Sequence, residues 1–536
     1  MRGRMMEMPL LISSLIEHAG TVYGDQEVVT QTVEGPIHRY TWADVRKRSK
    51  RLAGALTARG IVEGDRIATL AWNTHRHLEL YYGVSGMGAV CHTLNPRLHP
   101  SQAVYIINHA EDRILFVDLT FVPLAEALAD KLPTVEAYVI MTDAEHMPET
   151  SLPGAMAYED FIENVGGDYT WPDLDENAAA ALCYTSGTTG HPKGALYSHR
   201  STVLHAYGVA IPDVFNLGQA EAVLPIVPLF HAAGWGLPYA CALTGTKVVW
   251  PGPRMDPVSL TTLMSDEGVT CCAGVPSVVL PLTNHWRESG ERVPSLARVL
   301  IGGAAPPRSL IAALEQEFDL EFLHGWGMTE TSPLGTLNRL TPAMRNMTAD
   351  EQSLFQTKQG RAPFGVQLRI VSEDDAVLPH DGTSVGELQV RGPWVVSGYF
   401  RDDEERLTPD GWFPTGDVAS IDALGYMQIT DRTKDLIKSG GEWISSIDLE
   451  NAAMGHPDVS MAAVIGIPSE RWGERPILIA IPAPERQPTK ESLLEFLSGH
   501  VAKWQLPDEV FFVDELPMGA TGKVQKTKLR EQYAEG

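Results

Sequence analysis

An α/β architecture follows from three features of this chain. Short apolar β-rich runs alternate with helix-like segments from residue 66 onward, glycine and proline become frequent between Gly360 and Gly416, and the last ~100 residues carry a strand and helix pattern of their own. The first feature predicts a large N-terminal domain of parallel-sheet βα layers. The second predicts a β-rich subdomain attached to it, and the third a small α+β C-terminal domain. At 536 residues the chain exceeds what one core usually serves, so more than one domain is expected.

The elements can be justified in order. Residues 66–71, 89–94, 113–117 and 136–141 are short apolar runs of strand length, and between them 77–87, 101–110 and 121–132 have helix length and mixed polarity. That rhythm is the signature of βαβ units and parallel pairing. It resumes with strands at 222–228, 247–250, 269–273 and 298–301, the last followed by a helix over 306–318. Runs at 367–371 and 386–390 read as strands of the β-rich part, and 461–467, 476–481, 490–501 and 510–513 as strand, strand, helix and strand of the final domain. The mixed-charge stretch Asp431–Asp435 separates the two, which places the domains at 1–431 and 432–536.

Composition narrows the function classes. With 44% hydrophobic and 21% charged residues the chain reads as globular. A net charge of −26 argues against a nucleic-acid partner or an anionic membrane surface, and no apolar run is long enough to span a bilayer. The run 9–16 is too short for a signal peptide, Glu7 interrupts the basic stretch before it, and no small-residue cleavage site follows. Five cysteines, Cys91, Cys183, Cys241, Cys271 and Cys272, form neither a C-x-x-C pair nor a zinc spacing, so a reducing cytoplasm is the expected compartment.

The densest chemistry lies in Tyr184-Thr185-Ser186-Gly187-Thr188-Thr189-Gly190-His191-Pro192-Lys193-Gly194. Directly after a strand-like run it sets glycines that bend the backbone, the hydroxyls of Thr185, Ser186, Thr188 and Thr189, and the charge of Lys193. That is the chemistry of a polyphosphate cradle, where composition alone would read a solvated Ser/Thr/Gly turn. It is not the G-x-x-x-x-G-K-[ST] loop, because no Ser or Thr follows the lysine. Further segments recur downstream: Pro228-Leu229-Phe230-His231, Gly302-Gly303-Ala304, His324-Gly325-Trp326-Gly327-Met328-Thr329-Glu330, Gly411 to Asp417, Asp431-Arg432-Thr433-Lys434-Asp435, and Thr521-Gly522-Lys523.

In identity and order these segments resemble the signatures of the AMP-forming acyl-CoA synthetase superfamily, which also includes luciferases and the adenylation domains of peptide synthetases. Within it the chain looks most like ligases for short and medium acyl chains, those for methylmercaptopropionate among them. The resemblance implies two half-reactions. A carboxylate attacks the α-phosphorus of ATP and expels pyrophosphate; the acyl-adenylate then loses AMP to the thiol of CoA. It also implies that the C-terminal domain is mobile about a hinge near Lys434, serving one half-reaction in each orientation.

Site residues follow from the same resemblance. Lys523 matches the catalytic lysine that bridges carboxylate and α-phosphate, and Glu330 the carboxylate that holds Mg2+. Thr185 and His231 are further catalytic candidates, and Thr329 would reach the α-phosphate. Asp417 and Arg432 match the ribose-binding pair, for which a double acceptor and a guanidinium donor are suited. Gly303, Ala304, Ala305, Gly325, Trp326, Gly327 and Met328 fall on the nucleotide side. His231, Trp235, Gly302, Gly303 and Pro333 fall where the acyl cavity is lined, with the Trp235 indole either capping that cavity or gating a longer one. Lys438, Gly440, Gly441 and Trp443 resemble the loop brought in for CoA, with Asp435 and Glu474 as weaker candidates. Expected small-molecule partners are the acid, ATP and CoA, and the expected assembly is a homodimer. Two alternatives stay open: an adenylating enzyme that passes the acyl group to a carrier protein or an amine, and an inactive acyl- or nucleotide-binding relative.

Overall fold

A computed structural model of the chain describes every residue except 2, 164, 166, 167, 186–190, 433, 440, 441, 470, 520–522 and 534–536, and only the backbone of 349, 350, 442 and 443. Among the described residues four sheets form. The first runs Met156–Ala157, Ala137–Ile140, Ile114–Val117, Arg66–Leu70, Val90–Thr93, Ala179–Tyr184, Gly194–Ser198, with every neighbour parallel until the last pair, which is antiparallel. Strands Val90–Thr93, Ile114–Val117 and Ala137–Ile140 are buried along their whole length, because helices such as His75–Gly86 and Pro100–Ala110 cover the faces.

The second sheet runs Thr336–Asn338, Glu321–Trp326, Arg298–Ile301, Cys271–Gly274, Ala222–Pro225, Lys247–Trp250, Glu27–Gln31, Ile37–Thr41, parallel inside and antiparallel at both edges. A third, antiparallel sheet joins Gln367–Val371, Val385–Arg391, Phe413–Ile421 and Met427–Arg432. The fourth holds Glu442–Ile444, Ile437–Ser439, Gly473–Pro482 and Val459–Ser469, with Glu509–Phe512 added in parallel. Its long strands bury both faces. Val464 and Leu478 pack with Leu449 and Leu493, while Ile465 and Ile479 pack with Leu516 and Leu529.

The α/β class and the βα rhythm are as the sequence implies. The segment 306–318 departs from expectation: Pro307 disfavours helical backbone at Pro306 and is itself the extended N-cap, so the helix starts at Arg308 and winds wider over Ala313–Glu317. The parallel strands fix where chemistry can occur. Tyr184, Pro225, Ile301 and Trp326 are each the last residue of a strand, and the segments that follow them carry Thr185, His231, Gly302 and Glu330. Ligands in such sheets bind beyond the carboxyl ends of the strands.

Candidate active site

At the phosphate segment, Thr185 N donates to Lys193 O at 2.8 Å and Lys193 N to Thr185 Oγ1 at 3.4 Å, which ties the base of the loop where the two strands diverge. Ser186, Gly187, Thr188 and Thr189 lie outside the described residues. Lys193 Nζ stands 4.0 Å from Asp402 Oδ2 and 5.1 Å from the centre of the Tyr399 ring.

The loop after Trp326 is folded back so tightly that a Cβ on Gly327 would lie 1.4 Å from Pro333 O, so only glycine fits. Thr331 Oγ1 fastens the turn by donating to Pro333 O at 2.8 Å. Thr329 is held through its carbonyl, which accepts from the Tyr197 hydroxyl at 2.6 Å and so links the two large sheets. Glu330 is 6% exposed, and its Oε1 accepts from the Tyr399 hydroxyl at 2.6 Å. Burial raises the Glu330 pKa, while the Tyr399 hydrogen bond and the Arg432 charge oppose the rise. Tyr399 reaches this point because Val396 N donates to Glu330 O at 2.9 Å and Phe400 N to Gly194 O at 2.8 Å.

Asp417 and Arg432 face each other as register partners on antiparallel strands. Asp417 Oδ2 accepts from Trp326 Nε1 at 3.0 Å, and its Oδ1 lies 3.0 Å from Arg432 Nε. The tail joins this group. Gly519 N donates to Lys523 O at 2.6 Å, and Met518 bridges to Val524, closing the turn that presents Lys523; Thr521 and Gly522 lie outside the described residues. Although the Lys523 side chain still meets the solvent of the cleft, crowding around its ammonium and then the Arg432 charge pull its pKa down to about 8, with Asp417 opposing. The same ammonium acts on His231, whose pKa falls to about 4 through burial first and Lys523 second. His231 is therefore neutral at pH 7.

On the acyl side the Trp235 indole lies against Gly302, where an added Cβ would sit 2.8 Å from its Cη2. Its backbone belongs to a left-handed turn over Ala232–Gly236, with φ of 38°, 45°, 58°, 56° and 71°. L-residues pay about 1–2 kcal/mol each for that conformation. His231 lines a cavity of about 20 Å³, room for roughly one water, with Thr93, Leu94, Asn95, Leu98, Ile106, Tyr184 and Phe230. Gly303 and Ala304 are exposed toward the cleft and Ala305 is half-buried.

Not every expected residue joins the group. Lys438 Nζ pairs with Glu373 Oε1 at 2.8 Å, on the segment following strand Gln367–Val371, and its backbone N donates to Glu474 Oε2. Asp435 pairs with Arg530 of the tail helix at 2.7 Å. Gly440 and Gly441 lie outside the described residues, as does the side chain of Trp443. Conversely, sequence reasoning passed over Tyr197, Tyr399 and Asp402, which hold Thr329, Glu330 and Lys193. The only trace of Tyr399 in the sequence is an aromatic pair after Gly398 in a glycine-rich stretch.

The chain is 50% identical over 533 residues to a 3-methylmercaptopropionyl-CoA ligase of Ruegeria lacuscaerulensis, covering 99% of each chain. It is 47% identical over 535 residues to a medium-chain-fatty-acid CoA ligase of Ectopseudomonas oleovorans, covering 100% of this chain and 98% of the other. The fold superposes on ATP-bound MatB from Rhodopseudomonas palustris with a TM-score of 0.82 and 25% identity, over 98% of this chain and 99% of that one. The model of the AMP-binding enzyme matches residues 16–400 and that of the AMP-binding enzyme C-terminal domain residues 448–523; the chain belongs to the AMP-binding enzyme family.

Proposed function

We propose that the acid activated by this chain is a short or medium-chain carboxylate, with 3-(methylthio)propionate the first candidate. The chain is an acid–CoA ligase that works through an acyl-adenylate, with ATP and CoA as co-substrates. The choice of acid is supported by the names of the two relatives above, each matched over nearly the whole chain. One observation carries the site reading: Asp417 ties Arg432 to Trp326, the last residue of a parallel strand, and the Lys523 ammonium lies close enough to act on Arg432, Asp417 and His231.

Carboxylates are poor acylating agents, and their attack on the α-phosphorus gathers negative charge on nucleophile, phosphoryl oxygens and leaving group. The demand on the protein is placed positive charge more than proton transfer. In our reading Lys523 supplies it between carboxylate and α-phosphate, Lys193 toward the leaving phosphates, and Arg432 with Asp417 orients the ribose. The neutral His231 and Trp235 border the acyl group. Among the described residues no cluster of three or more His, Cys, Asp or Glu could hold a metal ion. Glu330 is the residue that would hold a Mg2+, since burial raises the pKa of its carboxylate and a cation beside it would let it keep its charge. When bound, the ion neutralises phosphate charge.

We further read residues 1–431 and 432–536 as the two domains, with a hinge near Lys434. The separate sheet and cores of the final segment support this division. A homodimer completes the proposal. The five cysteines are free and buried, which suits a reducing compartment and supports a cytoplasmic location. No helix among the described residues is long and apolar enough to cross a membrane. The test supplies acids from acetate to decanoate, including 3-(methylthio)propionate, with ATP, Mg2+ and CoA, and follows AMP and thioester. Adenylation that proceeds while free CoA is refused as acceptor would overturn the ligase reading, and a preference for aryl or long-chain acids would overturn the choice of acid.

A further inference from the structure

The left-handed turn that carries Trp235 is a strained segment, and such segments persist only where their surroundings over-determine them. On the side that leads into the turn, Asn73 holds Leu229 N at 2.7 Å and Val227 O at 2.8 Å. On the side that leaves it, Tyr82 donates to Pro238 O at 2.7 Å. Beneath it stands His205. Gly236 packs so closely on this ring that a Cβ would lie 2.5 Å from Cε1 and Nδ1, at a backbone φ of 71°.

The other nitrogen of the ring faces a different loop. His205 Nε2 accepts from Leu334 N at 3.2 Å. The ring is 2% exposed and burial holds its pKa at about 3, so it stays neutral and able to accept. Leu334 O takes the Trp394 indole N–H at 2.9 Å, Ser332 Oγ donates to Trp394 O at 2.7 Å, and Trp394 meets the His205 ring edge-on. One side chain thus touches the turn behind Trp235 and Leu334, the residue that follows Pro333.

We propose that His205 is a positioning residue for the acid, spacing the Trp235 turn from the Pro333 segment and so setting the width of the acyl cavity between them. This rests on the reading of Trp235 and Pro333 as walls of that cavity. Among the described residues His205 makes no hydrogen bond or ring contact with Asp417, Arg432, Thr185 or Lys193, so its influence should fall on the acid more than on ATP.

The test compares wild type with His205→Phe, which keeps ring bulk and removes the Nε2 acceptor, His205→Gln, which restores an acceptor at similar reach, and Gly236→Ala, which presses on the ring from the turn. Losing one buried hydrogen bond predicts a rise of about tenfold in KM for the acid in His205→Phe, with KM for ATP within about twofold. The order of preference along a series from acetate to decanoate should also shift. His205→Gln should recover most of the loss, and Gly236→Ala should reproduce the acid-specific defect. Acid and ATP parameters that change together, a glutamine variant no better than phenylalanine, or an unchanged order of acids would each overturn the proposal. Should His205→Phe fail to fold, the remaining two variants decide by the same criteria. A wild-type protein that makes thioester from none of the acids would instead sink the function reading on which this rests.

Discussion

The wall of the nucleotide cleft and the loop expected to receive CoA are built on opposite plans. In the wall, Glu330 is fixed by Tyr399, Asp417 by Trp326 and Arg432, and Thr329 by Tyr197; Glu330, Asp417, Trp326 and Tyr197 are buried, while Arg432 opens to the cleft. At the loop, Lys438 pairs with Glu373, the two side chains being 59% and 77% exposed, and its backbone N donates to Glu474. Buried, multiply bonded groups are preorganised, whereas an exposed ion pair is worth about 0–1 kcal/mol and is easily exchanged for water. On the proposed reading this arrangement suits adenylation, with the loop proposed for CoA parked through Lys438 against Glu373, which follows a strand of the third sheet.

Breaking the comparison at its strongest point gives the largest effect. Lys523→Ala should lower single-turnover adenylation by about 10²–10³-fold, the scale for losing one preorganised electrostatic group. Rapid quench checks this, while ATP affinity, followed by titration, should hold within about tenfold or ~1.4 kcal/mol. Tyr399→Phe removes one hydrogen bond to a charged group, worth about 1.5–3 kcal/mol, so adenylation should fall by roughly ten- to a hundredfold. An unaltered rate would mean that Glu330 needs no orientation.

The pH dependence sharpens the same contrast. If adenylation uses the Lys523 cation as proposed, its pKa, lowered to about 8, means that the step should be full below that value and decline as pH rises through it. An ordinary lysine, at about 10.4, would keep the rate flat across that range. Single-turnover rates between pH 6 and 10 distinguish the two. The smallest effect is expected at the parked loop. Glu373→Gln should leave adenylation within about twofold and stability within about 1 kcal/mol, measured by denaturant melting.

Much of this was legible in the sequence, for identifiable reasons. Strands at 247–250, 298–301 and 367–371 coincide with the observed Lys247–Trp250, Arg298–Ile301 and Gln367–Val371 because burial on a sheet demands the short apolar runs that mark them. Segments such as His324 to Glu330 were visible because they are contiguous. Partners separated by long stretches were not: Tyr399 meets Glu330 across 69 residues and His205 meets Leu334 across 129, and no local pattern encodes those encounters. The left-handed turn at Ala232–Gly236 was equally hidden, since alanine and tryptophan there argue against such φ values and only the packing imposes them.

The most direct measurement supplies preformed acyl-adenylate and CoA, without ATP, to Lys523→Ala and to Lys438→Ala and follows thioester release. If the cleft and the loop serve separate half-reactions, Lys523→Ala converts the adenylate at a near wild-type rate and Lys438→Ala does so slowly, while the order reverses when acid and ATP are supplied instead. Equal losses of both variants in both assays would contradict the division of labour on which the account depends.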